Sequence, residues 1–279
     1  MHRYKDFESI TPTAILTAYP RIFTDIPYSK EIFDLLKKKV TITDDLLNDL
    51  LAPELEARYK LTDKFLKENN INQVLEIAAG YSQRGMIQSQ NGIDYIELDL
   101  DSVCKTKNTI IKSIINMPNN LHLISGNAIE LDDFKKCEKY FDQSKEIAII
   151  HEGLFRYLTF AEKEKVAKNI YYLLNKYGGV WITCDLTPRR FLVNQNKVNP
   201  ALNKDINNIT SRNNINDRFD NKEHVTDFLE KIGFSVEFHD FKEAKSILSS
   251  PKKLNLSDER VVKILDGAIV AVIKINKNN

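Results

Sequence analysis

VLEIAAGYSQRG, Val74 to Gly85, passes from an apolar run of strand length through an acidic residue into a turn of small residues. A strand, a small-residue turn and a helix in succession leave backbone N–H groups pointing out of a helix N-terminus, and Ala78, Ala79 and Gly80 leave room for a ligand to approach them. The turn is not a dinucleotide fingerprint. G-x-G-x-x-G needs glycine at 78, 80 and 83, where the chain has Ala78, Gly80 and Gln83. Nor is it a phosphate loop, since the lysine of that motif is absent. The next strand-like segment, YIELDLD, carries Glu97, Asp99 and Asp101 about 20 residues beyond the turn, where a carboxylate can take both hydroxyls of a ribose. Asp99 is the best placed of the three. For Glu97 and Asp101 the competing reading is a charge that solvates the strand end.

Seven segments of strand length, rich in Val, Ile and aromatics, follow one another along the chain: QVLEIAA, DYIELDL, HLISGN, EIAIIHE, GVWITCDL, SVEFHDF and AIVAVIKI. Amphipathic stretches lie between most of them. In TFAEKEKVAKNIYYLLNKY, for example, Val166, Ile170, Leu173 and Leu174 recur at helical spacing. The alternation implies an α/β fold, a Rossmann-like seven-stranded, mostly parallel sheet with helices on both faces, and an irregular connection before the last segment implies an antiparallel return. Residues 1–60, punctuated by Pro12, Pro20, Pro27 and Pro53, read as an N-terminal helical cap. Residues 61–187 and 222–279 read as the α/β domain, and 188–221 as an insertion. Within it Asn194–Asn221 holds ten asparagines in 28 residues, longer than the roughly 12–15 residues usual for a structureless loop, and is either disordered or a lid.

The 279 residues carry 40 basic and 39 acidic side chains, so no global field gathers nucleic acid or an anionic membrane. Cys104, Cys137 and Cys184 lack a C-x-x-C pair, which disfavours disulfides and a zinc site and leads us to expect no metal and a cytoplasmic protein. No apolar run reaches about 18 residues, so neither a signal peptide nor a spanning helix is expected. The ends of the third and fourth segments, SGNAIELDDF and IIHEGLFRYL, place polar residues at the carboxyl edge where open α/β sheets bind ligands. Glu152 follows an apolar run and is expected to be partly desolvated, in need of a cation such as a ligand ammonium, unless it only caps the next helix. His151 reads equally as an ordinary strand-end histidine.

Four stretches carry a resemblance that covers nearly the whole chain: TPTAILTAYPRIFTDIPYS, LEARYKLTDKFL, VLEIAAGYSQRG with YIELDLD, and IIHEGLFRYLTFAEKEKVAKNI. In these the chain resembles class I S-adenosylmethionine-dependent methyltransferases, and within them the leucine carboxyl methyltransferase and polyketide O-methyltransferase-like family. The resemblance implies S-adenosyl-L-methionine as cofactor. It implies that Arg58 pairs with the cofactor's carboxylate, that the backbone of Ala78, Ala79 and Gly80 lines its amino-acid end, and that Asp99 holds the ribose. Asn127 and Ala128 would flank adenine, and Glu152 would meet the amino group. The common family turn is G-A-G followed by an acid, whereas this chain has Ala78, Ala79, Gly80, Tyr81 and Ser82. An alanine for the first glycine is tolerated where φ stays negative.

The implied activity is methyl transfer to a carboxylate or hydroxyl oxygen of a small molecule, with a protein carboxylate as a further possible acceptor. A carboxylate needs no base, and a hydroxyl would need one from His151, Tyr157 or His224. His151 and Tyr157 lie on the family motif, and Arg156 could orient an acidic acceptor. The competing reading is a non-catalytic module of the same fold that binds the cofactor or a partner protein. A nicotinamide-dependent dehydrogenase is excluded by the missing glycines.

Overall fold

The computed structural model describes residues 13–38, 47–188 and 217–276. The expected lid, residues 194–221, lies outside the described residues except for its last five positions. The strands among the described residues are β1 (Gln73–Ile77), β2 (Asp94–Asp99), β3 (Leu121–Ser125), β4 (Ile147–His151), β5 (Gly179–Thr183), β6 (Phe234–Asp240) and β7 (Ile269–Ile275). The helices are α1 (Thr13–Arg21), α2 (Ser29–Lys37), α3 (Ala52–Glu68), α4 (Arg84–Gln90), α5 (Asp101–Ile114), α6 (Leu131–Lys135), α7 (Phe160–Tyr177), α8 (Lys222–Glu230), α9 (Ser250–Lys253) and α10 (Asp258–Leu265). None of them is long and apolar enough to cross a membrane.

The sheet order is β3-β2-β1-β4-β5-β7-β6. The first five strands pair in parallel, and β7 lies antiparallel between β5 and β6. Side chains alternate across the sheet as a period of two requires. Val74, Tyr95, Ala148, Ile150, Val180 and Val270 face one core, with Ala57, Leu61 and Phe65 of α3 and Ile110 of α5. Leu75, Ile77, Ile96, Ile149, Trp181 and Ile273 face the other, with Val166, Ile170 and Leu173 of α7 and Val225 of α8. Both faces are covered, which explains why the central strands read as near-continuous apolar runs.

Helix α7 shows how local sequence sets an element. Thr159 and Glu162 form a reciprocal capping box at its start, and Gly178 at φ 75° ends it. Gly85 serves packing instead: a Cβ there would come within 2.2 Å of Glu97 Oε1, so any other residue would force the Glu97 carboxyl to move. The cap is less separable than its expected boundary at residue 60. Helix α3 runs unbroken from Ala52 to Glu68, and α1 packs on both α2 and α3.

Candidate functional site

The parallel register sets Ile77 beside Leu98 and His151, and His151 beside Thr183. Strand order reverses between β1 and β4, the switch point at which open α/β sheets bind ligands. A cavity, partly open to solvent, sits over these strand ends. Its wall takes Thr17 and Arg21 from α1, Leu55 and Arg58 from α3, the turn Ala78–Ser82, and Leu98, Asp99 and Leu100 at the end of β2. Glu76 of β1, Val103 of α5, residues 126–129 after β3 and 152–158 after β4, except Phe155, complete it.

Asp99 organises the turn. Its Oδ2 accepts the Gly80 N–H at 2.6 Å and its Oδ1 the Leu100 N–H at 2.7 Å. Burial pushes its carboxyl up and these two amides pull against that rise. Ala78 N–H bonds Leu98 O at 2.8 Å, and both Ala78 and Gly80 stand at φ 52°. The expected negative φ at Ala78 is therefore wrong: the turn needs a left-handed residue there, and alanine carries the strain of it. Glu97 also departs from expectation. It is buried rather than solvated, paired with Lys107 at 2.5 Å. Asp101 is the exposed acid, paired with Lys105 and accepting from Ser125 Oγ.

Glu152 is paired by protein through one of its oxygens. Its Oε1 accepts from Arg84 Nη2 at 2.5 Å. Arg84 is wholly buried, gives Nη1 to Glu76 Oε1 at 2.9 Å and Nε to Asp63 Oδ1 at 2.7 Å, and lies 4.3 Å over the Tyr59 ring. Glu152 Oε2 is 3.9 Å from Arg21 Nη2, outside hydrogen-bond reach. Burial raises the Glu152 carboxyl, yet Arg84, Arg58 and Arg21 together hold it below the usual range. Arg58 is 3.4 Å from Glu54. Arg21, Arg58 and Arg156 each keep a buried Nε without a hydrogen-bond partner among the described residues.

Asn127 and Ala128 are fixed by their own loop. Asn127 N–H bonds Asp133 Oδ2 at 2.7 Å, Asn127 Oδ1 accepts from Ile129 N–H, and Ala128 O accepts from Asn169 Nδ2. Arg156 and Tyr157 reach the cavity from a single 3₁₀ turn, Phe155–Tyr157. Behind them Arg218 falls to about 10, through burial and then the nearby charge of Arg156.

The two histidines lie elsewhere. His151 is buried outside the cavity wall, its Nδ1 2.9 Å from Asp185 Oδ2. His224 stacks on Phe160 at 5.2 Å on α8, away from the cavity. Four residues at the site gave no signal of their own in the sequence: Arg21, Glu76 and Arg84, although they lie within TPTAILTAYPRIFTDIPYS and VLEIAAGYSQRG, and Asp185. Asp185, like Asp99, is an acid at the end of an apolar segment, but it lacks the spacing of about 20 residues from the turn that singled out Asp99, and isolated arginines give no signal.

No curated protein matches the chain in sequence. The family model of leucine carboxyl methyltransferase matches residues 30–171, about half of the chain. Among solved structures, a DUF574 family protein from Streptomyces avermitilis superposes with a TM-score of 0.56 at 11% identity, covering 93% of this chain and 96% of that one. A magnesium protoporphyrin IX methyltransferase from Synechocystis, solved with SAH bound, gives 0.53 at 9% identity, covering 88% and 94%. At these identities the structures share the fold.

Proposed function

The chain belongs to the leucine carboxyl methyltransferase family and is an S-adenosylmethionine-dependent methyltransferase by fold and family, and on that premise we propose that its cavity holds the cofactor and that it methylates an oxygen of a small acidic molecule. The observation that carries this reading is the polarity of one cavity at the switch point, whose wall sets the Asp99 carboxylate of β2 with Arg21 and Arg58 of the cap.

The residues fit the group. Asp99 spends one lone pair of each oxygen on an amide and keeps others for ribose hydroxyls. Arg58 and Arg21 can take a carboxylate, Glu152 Oε2 an ammonium, and Asn127–Ala128 the edge and face of adenine. Bound there, the cofactor supplies an electrophilic methyl group for in-line displacement, so the protein gains chiefly by alignment. Arg156 would neutralise and orient an acidic acceptor, and Tyr157 would lie beside it. With His151 turned to Asp185 and His224 on the surface, neither is placed as a base. A carboxylate or an acidic hydroxyl fits that arrangement, because it reaches the methyl group already ionised.

Calorimetry tests the reading in two stages. S-adenosylmethionine and S-adenosylhomocysteine should bind, NAD and ATP should not, and Asp99→Ala should weaken binding by about 1–3 kcal/mol. Labelled methyl should then pass to a small molecule, with base-labile label marking an ester and base-stable label an ether. Absence of binding removes the methyltransferase assignment, and label on nitrogen removes the oxygen acceptor.

A further inference from the structure

The segment that follows β4 supplies Glu152, Arg156 and Tyr157 to the cavity, yet the group that holds its backbone comes from beyond the end of β5. Asp185 Oδ1 accepts the Gly153 N–H at 2.6 Å, and Oδ2 accepts the Leu154 N–H at 2.6 Å and the Phe155 N–H at 3.0 Å. His151 Nδ1 lies 2.9 Å from the same Oδ2. Asp185 is itself aimed by its own N–H, which bonds Thr183 Oγ1 at 3.1 Å. Three successive amides around one carboxylate form an anion nest, and the nest exists because Gly153 adopts φ 77°. With its ring nitrogen donating, His151 is fixed in one tautomer by the acid. The carboxylate stays ionised: burial raises it, but His151, Arg58 and the Gly153 amide more than compensate and leave it well below the usual carboxylate range.

We propose that Asp185 is the positioning residue of the site, a buried carboxylate that clamps residues 153–155 and thereby sets where Glu152 faces the cofactor and Arg156 faces the acceptor. It does not itself line the cavity. An uncharged isostere cannot replace it. In Asp185→Asn the amide presents N–H groups to backbone N–H groups, so at least one of the three bonds is lost whichever way it turns. The proposal for the cofactor side rests on the methyltransferase reading, whereas the clamp itself does not.

Two measurements on the full chain separate them. Amide hydrogen exchange should show Gly153, Leu154 and Phe155 as protected as the interior of β4 in the wild type, and at least tenfold faster in Asp185→Asn while β4 and β5 are unchanged. Calorimetry with S-adenosylhomocysteine, well below the variant's own melting temperature, should show at least tenfold weaker binding. There every molecule is folded, so a lesion that only lowers stability leaves affinity at the wild-type value, and that result overturns the positioning role. If the wild type binds no S-adenosylhomocysteine, the methyltransferase reading fails and the exchange data alone decide the clamp. If Asp185→Asn does not fold, unprotected amides at 153–155 in the wild type overturn it, and protection at the level of β4 supports it.

Discussion

At the scale of single residues, the strained alanine and the buried glutamate each carry a measurable cost. Ala78 at φ 52° bears roughly 1–2 kcal/mol of left-handed strain, and a glycine there gives back about 0.4–1 kcal/mol through the freedom of the unfolded chain. The strain term is the larger, so Ala78→Gly should stabilise the protein by about 0.5–1 kcal/mol, read as a higher urea midpoint at an unchanged slope. Burial pushes Glu97 up to about 7 against the pull of Lys107. Below the ordinary glutamate range both folded and unfolded chains hold the proton; between there and pH 7 only the folded chain does. Stability from this group is therefore present at low pH and lost as pH rises through 7. Between pH 5 and 8 the wild type should lose at most about 3 kcal/mol relative to Glu97→Gln, and parallel pH profiles would contradict the assignment. Asp99 was legible because its spacing from the turn is fixed by one strand and one helix. Glu97, two residues earlier on the same strand, was misread because the lysine that lets it be buried sits ten positions away on the far side of α5's first turns.

At the scale of elements, periodicity and capping were enough to find the strands and α7, since an amphipathic face and a capping box are local properties of sequence. What joins elements is not local. Glu56, on α3 and wholly buried, accepts Ser249 N–H, Ser249 Oγ and Ser250 N–H, each at 2.8 Å, and pairs with Lys60 at 2.7 Å. One carboxylate thus ties the helix of the cap to the start of α9, 193 positions later. Glu56→Ala leaves the Ser249 and Ser250 amides without their acceptor while Lys60 keeps Asp25 and the Ile247 carbonyl, which should cost about 2–4 kcal/mol. Thr159→Ala removes only a solvent-accessible cap and should cost about 1 kcal/mol. Urea melts of the two variants rank them, and equal losses would mean that the Ser249 and Ser250 amides find water in place of Glu56.

At the scale of the whole molecule, the alternation of strands and helices fixed the α/β class and the antiparallel return, but not where β7 inserts, because pairing partners leave no mark on a strand's own composition. Arg21 and Arg84 escaped notice for a related reason: together with Arg58 they come from three separate helices and meet around Glu152 only in the folded chain. A ligand that bridges cap and sheet should therefore stabilise the entire fold, and S-adenosylhomocysteine at about 100 times its dissociation constant should add about 2.7 kcal/mol to unfolding. The place of β7 also orders events at the ribosome. Among the described residues strand β6 pairs with no strand but β7, so as the chain emerges β6 has nothing to join and β5 presents an open edge. Domains otherwise tend to form from their N-terminal side during synthesis; here the sheet is completed from its far end, when residues 269–275 slide in antiparallel between two strands already made. A nascent chain stalled before Ile269 should carry five paired strands and a β6 that proteases still find.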